Sequence, residues 1–349
     1  MNEINTILEN IATSLPSVIF TINDAGLDTG GVLEQELIRR GCYIVNWYHD
    51  YPFYEELFAH RKMAPYKERI DFVSEESFVE EMISRGFTCD FLPLATDPLY
   101  FYPNDQLTYN KDVSFVGNSS AFFIDSIINE ERSRELEKVL PVLGVLKTHY
   151  YQNHNFNVRR FLLANKSLWT EKTTLSDEEL MFELEWVCGY FHRRDFVKKI
   201  AEIYGNRFMC YGDGDWKHII PAELVSAEAC YYDNLKDVYQ RTKVNININR
   251  IQIRTAFTQR IFDCAASGAF IITDKRMWND RFFKTSGNDI ELVQFSSQEE
   301  CFKLIDYYLA HDKERYEIVE RLKRKTLSFH TYDNRIDSIV STCKSKWTI

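Results

Sequence analysis

The stretch NINRIQIRTAFTQRIFDCAASG (247–268), with AFIIT (269–273) directly after it, decides how this chain folds. VNINI (244–248) has the composition of a short buried strand. Helical spacing follows over 255–267, stops at Gly268, and gives way to a second apolar run at 269–273. A strand, a helix and another strand in succession form the unit of a parallel sheet with helices on its faces. In such open sheets ligands bind beyond the carboxyl ends of the strands, where helix N-termini present free N–H groups. Arg254 and Arg260 fall at that position in the sequence. Arg260 and Asp263, three residues apart on one helical face, are equally open to a plain local ion pair.

The alternation continues in both directions. RFMCYG (207–212) and a helix over 235–242 come before the deciding stretch; ELVQF (291–295) and further helices come after it. DVSFVGN (112–118) starts this second series, and a stretch rich in Glu, Arg, Lys and Leu at about 121–203 interrupts it as a helical insertion. A first series precedes it. After a weak helical pattern over 1–12 come SVIFTIN (17–23), the glycine-rich turn DAGLDTGG (24–31) and a helix over 32–40 that stops at Gly41. CYIVNW (42–47) and RIDFV (69–73) are further strands, and a helix over 75–85 ends at Gly86. FLPLA (91–95) is a fourth strand, which Pro93 places at an edge or cuts short. The segment 96–112 contains Pro98 and Pro103, has no sustained period, and is expected to be the linker. The expectation is an α/β protein with a first domain over 1–108, a second over 109–330 and a terminal helix over 331–349.

A length of 349 residues suits two domains, each able to bury a core. With 42 Lys+Arg against 52 Asp+Glu, the formal net charge is −10, which disfavours a whole-surface nucleic-acid binder but permits a local basic pocket. No apolar run approaches the ~20 residues that cross a bilayer, and the first ten residues lack the layout of a signal peptide. The eight cysteines stand singly, without C-x-x-C pairs, which argues against a zinc site or a disulfide scaffold. Reduced, structural cysteines in a cytoplasmic protein are expected.

Two further strand ends carry suitable chemistry. In FVGNSS (115–120), Gly117, Asn118 and Ser119 could wrap a phosphate, or simply form a turn. In YGDGDW (211–216), Gly212, Asp213 and Gly214 allow close backbone approach, and Trp216 could stack on a base or be a partly buried aromatic. Asp213 and Asp215 form a D-x-D pair, which arises easily in so acidic a chain; no metal site is expected. His49 and Asp50, after the strand at 42–47, would sit on the rim of the first sheet and could contact a substrate or shuttle a proton. No G-x-S-x-G, H-E-x-x-H, Walker or G-x-G-x-x-G element is present.

Ordered blocks along most of the chain carry a family resemblance. They are VIFTINDAGLDTGG, the W-x-x-D-x-P of Trp47, Asp50 and Pro52, FLPLATDPLYFYP, KDVSFVGNS, YGDGDW, VNININR, TQRIFDCAASGAFIITD, YYLAHDKER and FHTYDNRI. The sequence resembles the CgeB-like (spore maturation protein) glycosyltransferases, similar to the group 1 glycosyltransferases of GT-B fold. That resemblance implies two Rossmann-type parallel-sheet domains facing across a cleft, the first of them reduced. It implies sugar transfer from a nucleotide-diphosphate sugar, UDP-linked by preference, to a glycan or protein hydroxyl, with no cofactor and no metal. Donor contacts are implied at Gly117, Asn118, Ser119, Gly212, Asp213, Gly214, Trp216, Asn249, Arg254, Thr255 and Asp263, and catalytic roles at His49, Asp50 and Arg260. In the group's E-x7-E pattern Asp263 takes the second, ribose-binding position, while Thr255 stands in place of the first acid. An opening facing Asn118, Gly212 and Asp263 together is expected. The departure at Thr255 keeps two other readings in view: a non-catalytic nucleotide-sugar or glycan binder, and a sugar-nucleotide epimerase.

Overall fold

A computed structural model describes residues 17–54, 56, 61–104, 106, 108–122, 124, 141–146, 148–149, 157–168, 176–227, 229–251, 253–276 and 279–347. The expected helix over 1–12 lies outside them. The chain divides into two compact units, Met1–Leu94 with Asp333–Ile349, and Ala95–Tyr332.

The first unit is built on a four-stranded parallel sheet in the order β1 (Val18–Ile22), β2 (Tyr43–Tyr48), β3 (Arg69–Val73), β4 (Cys89–Phe91). Helix α1 (Val32–Arg39) connects β1 to β2, and α2 (Val79–Ser84) precedes β4. The fourth strand starts earlier than expected and stops before Pro93, which has no N–H to continue a ladder. The inner strands β2 and β3 are almost wholly buried, yet the face they share is not apolar. Arg69, 1% exposed, contacts Asp24, Glu34 and Asp71 through its guanidinium and also donates to the Tyr48 hydroxyl. Asp24 in turn accepts from Tyr48 and pairs with buried Arg61. A polar layer of charges thus lies within this unit, where a fully apolar interior would be the usual arrangement.

The last helix, α10 (Tyr332–Lys346), belongs to this unit from Asp333 onward. Arg335 donates to the carbonyls of Pro93 (2.6 Å) and Leu94 (3.0 Å). The Trp347 indole donates to the Lys67 carbonyl (3.1 Å), and its ring lies on Tyr43 with centroids 4.5 Å apart.

The second unit holds six parallel strands: β5 (Lys111–Val116), β6 (Phe208–Tyr211), β7 (Val225–Ser226), β8 (Thr242–Asn247), β9 (Ile271–Asp274) and β10 (Val293–Phe295). Their order across the sheet is β7-β6-β5-β8-β9-β10. Counted within the unit this is 3-2-1-4-5-6, the doubly wound Rossmann order, in which the winding reverses between β5 and β8. Val113, Phe115, Val244, Ile246 and Ile272 fill its core together with Phe196, Ile200, Ile305 and Ile318 from the flanking helices. The segment 96–112, expected as the linker, packs inside this unit. Phe101 is 1% exposed, and Thr96 bridges to Thr331 in parallel fashion. The chain passes from one unit to the other at Leu94–Ala95 rather than at 108.

Within the expected insertion, α3 (Val158–Ala164) and the 28-residue α4 (Asp177–Tyr204) are described. Ser176 opens α4 with a capping box: its hydroxyl accepts from the Glu179 N–H, and the Glu179 carboxylate accepts from the Ser176 N–H. At 1.5 Å per residue α4 runs about 42 Å, long enough to serve two cores. Its first half packs with Val158, Leu162 and Ile251 in a satellite cluster; its second half packs on the main sheet.

Candidate functional site

A parallel sheet offers its ligand crevice outside the strand ends where the winding reverses. Here those ends are Gly117–Asn118 after β5 and Asn247–Asn249 after β8. Two arginines join them. Arg193 of α4, 3% exposed, donates to the Asn118 carbonyl (3.3 Å) and the Ile248 carbonyl (3.1 Å). Arg260, in the first turn of α6 (Gln259–Ala266), donates to Asn247 Oδ1 (2.8 Å). Its other guanidinium nitrogen stands above the β5 turn, since a Cβ built on Gly117 would lie 3.3 Å from it. Burial holds the Arg260 pKa below its ordinary value, but an arginine so far above neutrality keeps its charge.

Asn247 and Asn249 hold this floor rigid. The Asn247 amide donates to Asn249 Oδ1 and Thr273 Oγ1, and its oxygen also accepts from Thr258. The Asn249 side chain and its backbone N–H both donate to Asp274, which pairs with buried Arg276. Asn247, Asn249, Thr273 and Asp274 are buried and hydrogen-bonded, which fixes their positions at little desolvation cost. Asn249, expected at the donor, supports the floor from beneath.

A pocket of about 210 Å³ opens beside this floor, lined by Val116, Gly117, Asn118, Tyr211, Gly212, Asp213, Ala227 and Ala229. Asp213 Oδ2 accepts from the Ser119 N–H (2.7 Å), so that amide is already occupied and is not presented to a phosphate as expected. The second oxygen, Oδ1, is buried, with no hydrogen-bond partner among the described residues. Gly214 is exposed beyond this pocket's lining.

Gly212 permits the approach of two backbone turns. A Cβ there would overlap the Gly117 carbonyl oxygen and lie 2.8 Å from Trp216 Nε1. Gly212→Ala is therefore expected to destabilise the protein by about 2 kcal/mol through overpacking, read as a lowered urea midpoint. An unchanged midpoint would show that the turns can part.

Other expected donor contacts are corrected here. Trp216 is fully buried and donates to the Gly117 carbonyl (2.8 Å), so it offers no ring face to a base. Its apolar area is better spent in the core, edge-on to Phe115. Asp263, 1% exposed, spends its two oxygens inward on the hydroxyls of Thr96 (2.8 Å) and Tyr231 (2.9 Å). Burial, partly offset by those bonds, pushes its pKa up to about 8. Asn118 and Gly212 thus share one opening that Asp263 does not line. Arg254 is charge-paired with Glu185 at 2.5 Å, so its charge is already compensated. Thr255 is buried as well.

In the first unit, Asp50 is exposed and accepts from Asn23 (3.1 Å) at the end of β2. His49 stands edge-on to Trp47, and its Nε2 is buried without a hydrogen-bond partner among the described residues. Burial lowers the His49 pKa and Asp50 only partly offsets this, leaving a neutral imidazole at pH 7. Among the described residues no group of three His, Cys, Asp or Glu side chains could hold a metal ion. Among them, too, no helix is long and apolar enough to cross a membrane.

The sequence reading missed Arg193 and the asparagine floor. The floor did carry a signal: Asn245, Asn247 and Asn249 alternate, which places all three on one face of a strand whose other residues are apolar.

Comparison with known proteins agrees with this architecture. Residues 193–341 match the family model described as "Glycosyl transferase-like". A sequence search among curated proteins gives no match. Among solved structures, Alr3699/HepE of Anabaena, described in complex with UDP, superposes with a TM-score of 0.50 at 8% identity, over 98% of this chain and 82% of its own. Sucrose-phosphate synthase of Thermosynechococcus elongatus gives a TM-score of 0.49 at 11% identity, over 98% of this chain and 77% of its own. Over residues 193–341 the chain is thus similar to glycosyl transferase-like proteins, and its two parallel α/β sheets follow the fold of the superposed Alr3699/HepE structure.

Proposed function

We propose that the protein is a CgeB-like glycosyltransferase moving a sugar from a nucleoside-diphosphate sugar to a glycan or protein hydroxyl, without a metal ion. The observation that carries this reading is the Arg260 guanidinium standing over Gly117 at the reversal point of the second sheet. As the bond between the sugar and the diphosphate breaks, negative charge collects on the leaving oxygen. A fixed cation there stabilises the transition state more than the ground state. The nucleoside would occupy the pocket beside it, whose lining includes Asp213. An acidic side chain there disfavours a phosphate, which favours placing the diphosphate toward Arg260. UDP is the first nucleotide to test, being the ligand described for Alr3699/HepE. His49, neutral and beside Asp50, is the first unit's candidate to take the proton that an acceptor hydroxyl sheds. Eight free cysteines, seven of them buried, suit the reducing cytoplasm.

UDP is expected to raise the melting temperature in EDTA, with about 2.7 kcal/mol of added stability at 100 times the dissociation constant. UDP-sugars incubated with the enzyme should release UDP over time under the same conditions. The buried Thr255, standing where the group's first acid belongs, supports the second reading, a nucleotide-sugar binder. Saturable binding with no donor consumption would select it, and a requirement for added metal would contradict the metal-free account. Conversion of the donor's sugar with no acceptor present would instead identify an epimerase.

A further inference from the structure

A second pocket, of about 440 Å³, lies at the other end of the second sheet and is used by nothing described so far. Its walls include Asn104, Tyr109 and Gln240, near the starts of β5 and β8, and Tyr316 and Lys323 on α9 (Asp312–Phe329). The length of β5 separates this end from the Gly117 turn by roughly 20 Å. A ligand bound here is therefore not the donor.

The chemistry of the walls narrows the occupant. The charged lining residues are two acids and two bases, and they are paired. Arg315, 3% exposed, holds Asp312 at 2.8 Å, and Lys323 holds Glu320 at 2.6 Å. With both cations neutralised, nothing here favours a nucleotide or a phosphate. A lining this polar does not suit an apolar peptide or a lipid chain either. Two tyrosines stand exposed at the rim, Tyr109 at 56% and Tyr316 at 66%. Arg315 lies beneath one of them, 5.7 Å from the Tyr109 ring centre, and steadies it. Aromatic faces beside paired, hydrogen-bonding side chains match a ligand with C–H faces and many hydroxyl groups. The volume falls in the range of small-ligand sites.

We propose that this pocket binds an uncharged oligosaccharide, at a site separate from the donor pocket. In a sugar-transferring enzyme it would hold a distant part of the acceptor or product glycan. The binding itself is independent of the donor reading, because it is measured with no nucleotide present.

The test applies the full chain to an array of uncharged and charged oligosaccharides, followed by calorimetric titration of whichever uncharged glycan is retained. Retention of at least one uncharged oligosaccharide is expected. Y109A and Y316A should each weaken its affinity at least tenfold, while the melting shift caused by UDP stays unchanged in both. Retention of charged glycans alone, of no glycan, or of glycans indifferent to both substitutions would overturn the proposal. Displacement of the glycan by UDP would overturn it too, since one site would then serve both.

Discussion

Arg260→Ala is expected to lower turnover about 100- to 1,000-fold, the usual consequence of removing one preorganised donor from a developing oxyanion. The fold should survive. Arg260 is only partly buried, and among the described hydrogen bonds its guanidinium serves Asn247, whose amide oxygen keeps a second partner in Thr258. If the charge acts mainly on the leaving diphosphate, kcat should fall more than the apparent affinity for donor. Arg260→Lys should recover only part of the loss, because an ammonium cannot bond Asn247 and also span the Gly117 turn with a planar fork. Steady-state kinetics on the three proteins, with melting curves as the control for folding, decide the matter. Activity within a few-fold of wild type in Arg260→Ala would remove this residue from the mechanism.

The second large effect falls on stability and lies in the other unit. Arg69→Met should destabilise the protein by about 3–5 kcal/mol, the cost of leaving buried charges uncompensated. Arg69 faces Asp24, Glu34 and Asp71, all buried, and among the described ion pairs only that of Arg61 with Asp24 would remain to answer them. Loss of packing is not the cause, since methionine fills much of the same volume. Turning Glu34 and Asp71 to leucine in the Arg69→Met background should therefore recover most of the loss, because an apolar layer suits that interior as well. Urea denaturation of the single and triple variants measures this. A single variant as stable as wild type, or a triple variant no better than the single, would mean the charges are not coupled as the distances indicate.

Much of this architecture was legible in the sequence because it follows local patterns. Strands alternating with helices specified two parallel sheets, and Gly41 and Gly86 marked the ends of α1 and α2. Pro93 announced the early end of β4. What could not be read depends on partners far along the chain. Asp263 looked free to meet a ribose because Thr96 and Tyr231, which occupy it, are remote in sequence. Trp216 follows a glycine-rich turn and looks exposed, but Gly212 lets that turn close against Gly117 and draws the indole into the core. The division at Leu94 was hidden because 96–112 has loop composition yet anchors Phe101 and Thr96 within the second unit. The serine ahead of α4 and a glutamate in its first turn, Ser176 and Glu179, form a capping box whose spacing the sequence carried and its reading did not use.

One measurement bears most directly on the central claim: the structure of the protein with UDP bound, obtained in the presence of EDTA. A diphosphate oxygen within hydrogen-bond distance of Arg260, with the nucleoside in the pocket lined by Gly117, Gly212 and Asp213, is the expected result. UDP seated away from the Gly117 and Gly212 turns, or bound with Arg260 still turned only to Asn247, would contradict it.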